Sequence, residues 1–193
     1  MRLNRYVTTT LALAAFAAPA LAHPGHTDTQ SIAAGLLHPI SGIDHVMVMI
    51  AVGIFAAQLG GRALYLLPLT FMCVMALGGI AGMAGLGLPF VETAIALSVL
   101  GMGVTVAMGW RLPIVSAMAL VGTFAIFHGF AHGAEMPMQA SGYAYGLGFV
   151  LATGSLHLAG IGLGIAMQKL PRAHKAVGVL MAAAGIGLIA GWI

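Results

Sequence analysis

Charge is what this sequence has least of. Only 6% of its 193 residues are Asp, Glu, Lys or Arg, against roughly 25% in an ordinary soluble domain. A chain so poor in charge cannot cover a water-facing surface, and 61% apolar residues with a mean hydropathy of +1.05 place it in a membrane. Cysteine is nearly absent too. The single Cys73 can form no intramolecular disulfide, which removes support for redox chemistry, and within its apolar segment it reads as a small buried side chain. No G-x-x-x-x-G-K-S/T occurs, so a P-loop ATPase is excluded. Basic clusters are missing as well. The pI near 9.4 reflects a handful of loop residues and implies no nucleic-acid partner.

What the chain does have is long apolar runs. Met1 to Arg5 is a short basic segment, Val7 to Ala18 is too short to span a bilayer, and Ala20-Leu21-Ala22 fits a cleavage site. Residues 1–22 are therefore expected to be a cleaved signal peptide, leaving 23–193 as a single transmembrane domain. Its five basic and four acidic residues give a net charge of +1. Six spans follow, near 32–59, 63–86, 89–109, 113–134, 141–167 and 174–193. All must be helices, because backbone groups cannot stay unpaired in lipid and the runs lack the alternation of a barrel.

Arg62, Arg111, Lys169, Arg172 and Lys175 all fall in loops on one side of this topology. Lys and Arg favour cytoplasmic loops, so the expected location is the bacterial inner membrane with both mature termini periplasmic. Glycines four apart, Gly78 with Gly82, Gly142 with Gly146 and Gly160 with Gly164, predict close helix packing.

A charged side chain at the bilayer centre costs about 2.5 to 3.5 kcal/mol, so ionisable groups inside spans point to function. The first span holds LLHPISGIDH, with His38, Asp44 and His45, and the fourth ends in FHGFAHGAE, with His128, His132 and Glu135. Both clusters lie toward the periplasmic half. His128, His132 and Glu135 stand at i, i+4 and i+7 on one helical stripe. Two histidines at i and i+4 can share an ion, whereas Glu135 lies roughly 10 Å along the axis from His128. The stripe is a ladder of ligands more than a closed cage.

His38 and His45 are again about 10 Å apart on an ideal helix. Pro39 and Gly42 between them favour a kink or an unwound turn. Such a break would bring His38, Asp44 and His45 toward one ion, or leave Asp44 to orient a histidine. Imidazole and carboxylate suit nickel, cobalt or zinc. Met47, Met49, Met136 and Met138 beside the clusters keep copper as an alternative, although core packing is the commoner role of methionine. Further candidates for a metal path are Glu92, His157, and His23 and His26 in the mature N-terminus. His174, among basic residues, reads as a solvated side chain.

Together the two motifs resemble the HupE/UreJ family, membrane proteins associated with hydrogenase and urease maturation and regarded as nickel, sometimes cobalt, permeases. The residues that carry the resemblance are His38, then five residues, then Asp44-His45, and the run from Phe127 through His128, His132 and Glu135. Glu92 and His157 match the family's acid opening span three and its histidine in span five. The resemblance implies a permease for Ni2+ or Co2+, not an enzyme, and leaves the coupling open: without an ATPase motif, transport is secondary, depends on a partner or is facilitated diffusion. The reading taken is a secondary permease importing the ion from periplasm to cytoplasm, with no permanently bound cofactor. Downstream partners would be urease or hydrogenase maturation proteins. An intramembrane metalloenzyme, a haem-binding carrier, and copper or zinc transport are the competing readings. Each half of three spans begins with a metal-type motif, the pattern expected of an inverted 3+3 repeat.

Overall fold

Apolar runs in lipid must satisfy their own backbone groups, and every described run does so as a helix. The computed structural model describes residues 28–193; the expected signal segment, with His23 and His26, lies outside the described residues. Seven helices follow in order: α1 (Asp28–Ser41), α2 (Ile43–Leu59), α3 (Ala63–Met83), α4 (Val91–Met108), α5 (Ile114–Ala134), α6 (Gly142–Met167) and α7 (Pro171–Ile189). Among the described residues there is no strand. The last five helices are each long and apolar enough to cross a bilayer. The chain is a multi-pass, all-helical membrane protein.

The expected first span is not one continuous helix. It divides into α1 and α2, bent by 83° at Gly42. Pro39 supplies no backbone donor and its ring crowds the preceding turn. The freed groups find side chains instead: Ser41 Oγ donates to the His38 carbonyl at 2.6 Å, and the His45 N–H donates to Asp44 Oδ1 at 2.8 Å. At the break, a Cβ on Gly42 would sit 2.7 Å from Asp44 Oδ1. A side chain there would push the Asp44 carboxylate out of its bonds to His45.

Helices α2, α4 and α6 run parallel, which their last turns make plain. Gln58 Nε2 in α2 donates to the Val106 carbonyl of α4 at 2.9 Å, and Gln168 Nε2 after α6 donates to the Ala57 carbonyl of α2 at 3.3 Å. Helices α3, α5 and α7 return in the opposite direction. The described acids, Asp28, Asp44, Glu92 and Glu135, thus gather at one end of the bundle, and the basic residues at the other.

Three pairings dominate the packing: α3 with α5, α4 with α7, and α6 with both α1 and α2. Gly78 and Gly82 lie against the Ile126 and Phe130 carbonyls, and Gly160 against that of Ile50, as expected of small residues in membrane interfaces. The third expected pair differs, because Gly146 meets nothing within 4 Å. Cys73 also departs from expectation: it is exposed on the outer face of α3, where lipid covers it. A side chain at Gly129 would collide with the Met75 carbonyl of α3. Gly129→Leu is expected to cost about 1 to 3 kcal/mol through overpacking. Thermal unfolding of the purified protein in detergent checks this, with Gly146→Leu as the neutral comparison.

Candidate metal site

Four helices bring their polar residues to one end. The bend at Gly42 swings α1 across that end, so His38 arrives from α1 while Asp44 and His45 start α2. Glu92 opens α4, and α5 ends with His128, His132 and Glu135. His38, Asp44, His45, Glu92, His132 and Glu135 line a cavity of about 180 Å³. No methionine stands in its wall. Met49 is wholly buried in the core and Met138 is 93% exposed, so neither thioether joins the cavity wall.

The imidazoles form a continuous column. His132 lies 4.7 Å from His38 and 4.0 Å from His45 between ring centroids, and His45 lies 4.4 Å from His128. At the mouth, His38 Nε2 donates to Glu135 Oε2 at 3.1 Å. One donor atom each from His38, His132 and Glu135 lies within 4.8 Å of the others, close enough to hold one ion. Sequence spacing put Glu135 too far from His128 for a shared ion, and the fold gives Glu135 a partner on α1 instead.

Hydrogen bonds decide which imidazole nitrogens are free. Asp44 Oδ1, a carboxylate oxygen, only accepts, so His45 Nδ1 carries the proton of their 2.9 Å bond. That leaves His45 Nε2 with a bare lone pair. Ser98 Oγ donates its one proton to the Ile95 carbonyl at 2.6 Å, so His128 Nε2 must be the donor in its 2.8 Å bond to Ser98. His128 Nδ1 is then the bare atom. His45 Nε2, His128 Nδ1 and both nitrogens of His132 are buried with no hydrogen-bond partner. Each orphaned polar atom costs about 1 to 3 kcal/mol, and a cation that takes the lone pairs of His45 Nε2, His128 Nδ1 and the unprotonated nitrogen of His132 removes most of that cost.

His157 does not join this group. It is 1% exposed in α6 and sits behind Phe71, whose ring lies 5.2 Å from His157 and 5.9 Å from His128. Both His157 nitrogens are also without partners. Of the residues read from sequence, the structure therefore gathers His38, Asp44, His45, Glu92, His128, His132 and Glu135, and places His157 deeper.

A family model described as "HupE / UreJ protein" matches residues 11–188. The chain belongs to the HupE/UreJ family. It is 44% identical over 190 residues to Protein HupE of Rhizobium leguminosarum bv. viciae, with 96% of this chain and 97% of that protein covered. No solved structure matches it significantly.

Three residues around this HupE/UreJ site escape a reading of sequence: Ser98, Phe71 and Phe149, whose ring lies 4.2 Å from His132. Ser98 is 0% exposed and, among the described residues, its hydroxyl oxygen is the only partner of His128 Nε2. Ser98→Ala leaves that nitrogen's proton unaccepted and frees the ring to turn. The expected result is a fall in nickel affinity of about tenfold, the scale on which loss of a ligand's orienting partner acts. Calorimetric titration of purified protein measures it, and unchanged affinity would show that His128 needs no support from α4.

Proposed function

We propose that this protein is a secondary permease that imports a divalent first-row ion, nickel foremost and cobalt as the alternative, from the periplasm to the cytoplasm. The observation that carries the reading is the run of buried imidazoles with unpartnered nitrogens beneath the His38, His132 and Glu135 donor set. Imidazole and carboxylate donors with no thioether suit nickel, cobalt or zinc better than Cu(I). His38, His132 and Glu135 take the ion at the mouth. His45 and His128 receive it below, held by Asp44 and Ser98. Glu92 adds negative charge to the cavity wall, and His157 is the next stop inward; His23 and His26 extend the path at the mature N-terminus.

Transport is favoured over an intramembrane metalloenzyme by size. A cavity of about 180 Å³ holds an ion with a few waters, whereas small-molecule pockets run to about 300 to 1,000 Å³. The ion is cargo, and no permanent cofactor belongs to this reading. Residues 1–22 act as a cleaved signal, and the basic end of the bundle is cytoplasmic by the bias of Lys and Arg, so both mature termini are periplasmic in the inner membrane. The imported ion supplies urease or hydrogenase maturation.

The packing also supports an inverted 3+3 repeat. Exchange α1 and α2 with α5, α3 with α6, and α4 with α7. The α3–α5 pairing then becomes the pairing of α6 with α1 and α2, and α4–α7 maps onto itself. The three dominant contacts are thus one set under the exchange, the arrangement that alternating access requires. Radioactive nickel uptake into cells expressing the protein, with cobalt, zinc and copper as competitors, tests the function. Saturable uptake above the empty-vector control is expected, with cobalt the strongest competitor. Uptake no greater than the control would refute it.

A further inference from the structure

At the basic end, the last turns of α2, α4 and α6 and the first turn of α7 surround a cavity of about 430 Å³. Gln58, Val106, Gln168, Arg111, His174 and Lys175 line it. The orientation of the Gln58 amide is settled by its bond to Val106, because a backbone carbonyl can only accept. Its Nε2 faces Val106, and its Oε1 is left buried with no donor. His174 Nε2 is buried without a partner as well. Sequence alone read His174 as a solvated side chain; the fold closes its Nε2 off from water.

These two orphaned atoms stand at meaningful places. Under the exchange of halves, the end of α5, with His132 and Glu135, corresponds to the end of α2, with Gln58. The start of α4, with Glu92, corresponds to the start of α7, with His174. The basic cavity is therefore the counterpart of the histidine mouth, built with neutral donors where the mouth has acids. Three helix C-termini add the negative end of their dipoles, which favours a cation.

We propose that this cavity is the exit site, and that Gln58 Oε1 and His174 Nε2, buried beside it, turn to hold the departing divalent ion for a moment before the cytoplasm takes it. The proposal rests on the permease reading. An amide oxygen and an imidazole nitrogen are fit ligands for a first-row divalent ion. Arg111 and Lys175 in the same wall repel it, so the ion binds weakly and leaves. The mouth carries carboxylates and the exit carries cations. That contrast makes the site that loads tight and the site that unloads loose.

The test compares nickel uptake by cells expressing wild type, Gln58→Leu and His174→Ala with nickel binding to the same purified proteins. The variants are expected to bind nickel at the mouth within about twofold of wild type while uptake falls at least about tenfold, the scale of a lost metal-site partner. Uptake close to wild type in both variants, at equal membrane abundance, overturns the exit site and leaves the permease intact. A wild type with no uptake above the vector refutes the permease, and the exit site with it. Should Gln58→Leu fail to reach the membrane, Gln58→Glu decides. Its carboxylate strengthens the exit site, so the purified variant is expected to bind one nickel more than wild type and to transport more slowly. Wild-type stoichiometry together with wild-type uptake in Gln58→Glu overturns the proposal.

Discussion

Nickel uptake by cells expressing His132→Ala is expected to fall to the empty-vector level, a loss of at least about 100-fold, beyond what removing a ligand's supporting partner alone produces. The reason is position. His132 is the one imidazole in contact with both levels of the site, 4.7 Å from His38 above and 4.0 Å from His45 below. Without it the mouth keeps His38 and Glu135, which bond to each other at 3.1 Å, and in the proposed path an ion would have no next ligand. The substitution shortens a side chain at the end of α5 and adds no bulk. Membrane abundance should stay near wild type, as an immunoblot of membrane fractions would report. Full uptake by an abundant His132→Ala protein would remove the bridging role assigned to this residue.

Asp44→Asn separates charge from shape. Asp44 accepts from the His45 backbone N–H at 2.8 Å, within the first turn of α2, and from His45 Nδ1 at 2.9 Å, which leaves Nε2 as the bare nitrogen. An asparagine amide oxygen can still take both protons, so α2 is expected to keep its first turn. The carboxylate's charge, which would attract a cation, is lost. Nickel affinity is expected to drop about 10- to 100-fold while the unfolding temperature stays close to wild type. Asp44→Ala also leaves the His45 N–H without its acceptor, at a further cost to stability of about 1 kcal/mol. If calorimetry gave Asp44→Asn the affinity of wild type, Asp44 would hold the first turn of α2 and the His45 ring and do nothing more.

Relations within one helix were legible in the sequence, because helical periodicity is local. His128, His132 and Glu135 fall on one stripe of α5, and the limits of α3 to α6 lie within about three residues of those expected from apolar runs. The 83° bend was visible only as a weakness at Pro39 and Gly42, since neither residue sets an angle. Contacts between helices were not legible. His38 meets Glu135 across 97 positions, and only the placement of α1 decides it. Ser98 was hidden for another reason. Thr105, Thr123 and Ser155 also bond a carbonyl of their own helix, so a hydroxyl in an apolar span looks the same whether or not it holds a histidine.

The ring of Phe71 has a bioenergetic consequence. An unbroken file of imidazoles and water through a coupling membrane would relay protons as readily as it passed metal, and would discharge the gradient. Phe71 interrupts the file between His128 and His157, and it is 0% exposed. A benzyl side chain neither donates nor accepts a proton. In the proposed permease it would insulate the membrane at rest, and a movement that admits a divalent ion would have to displace it.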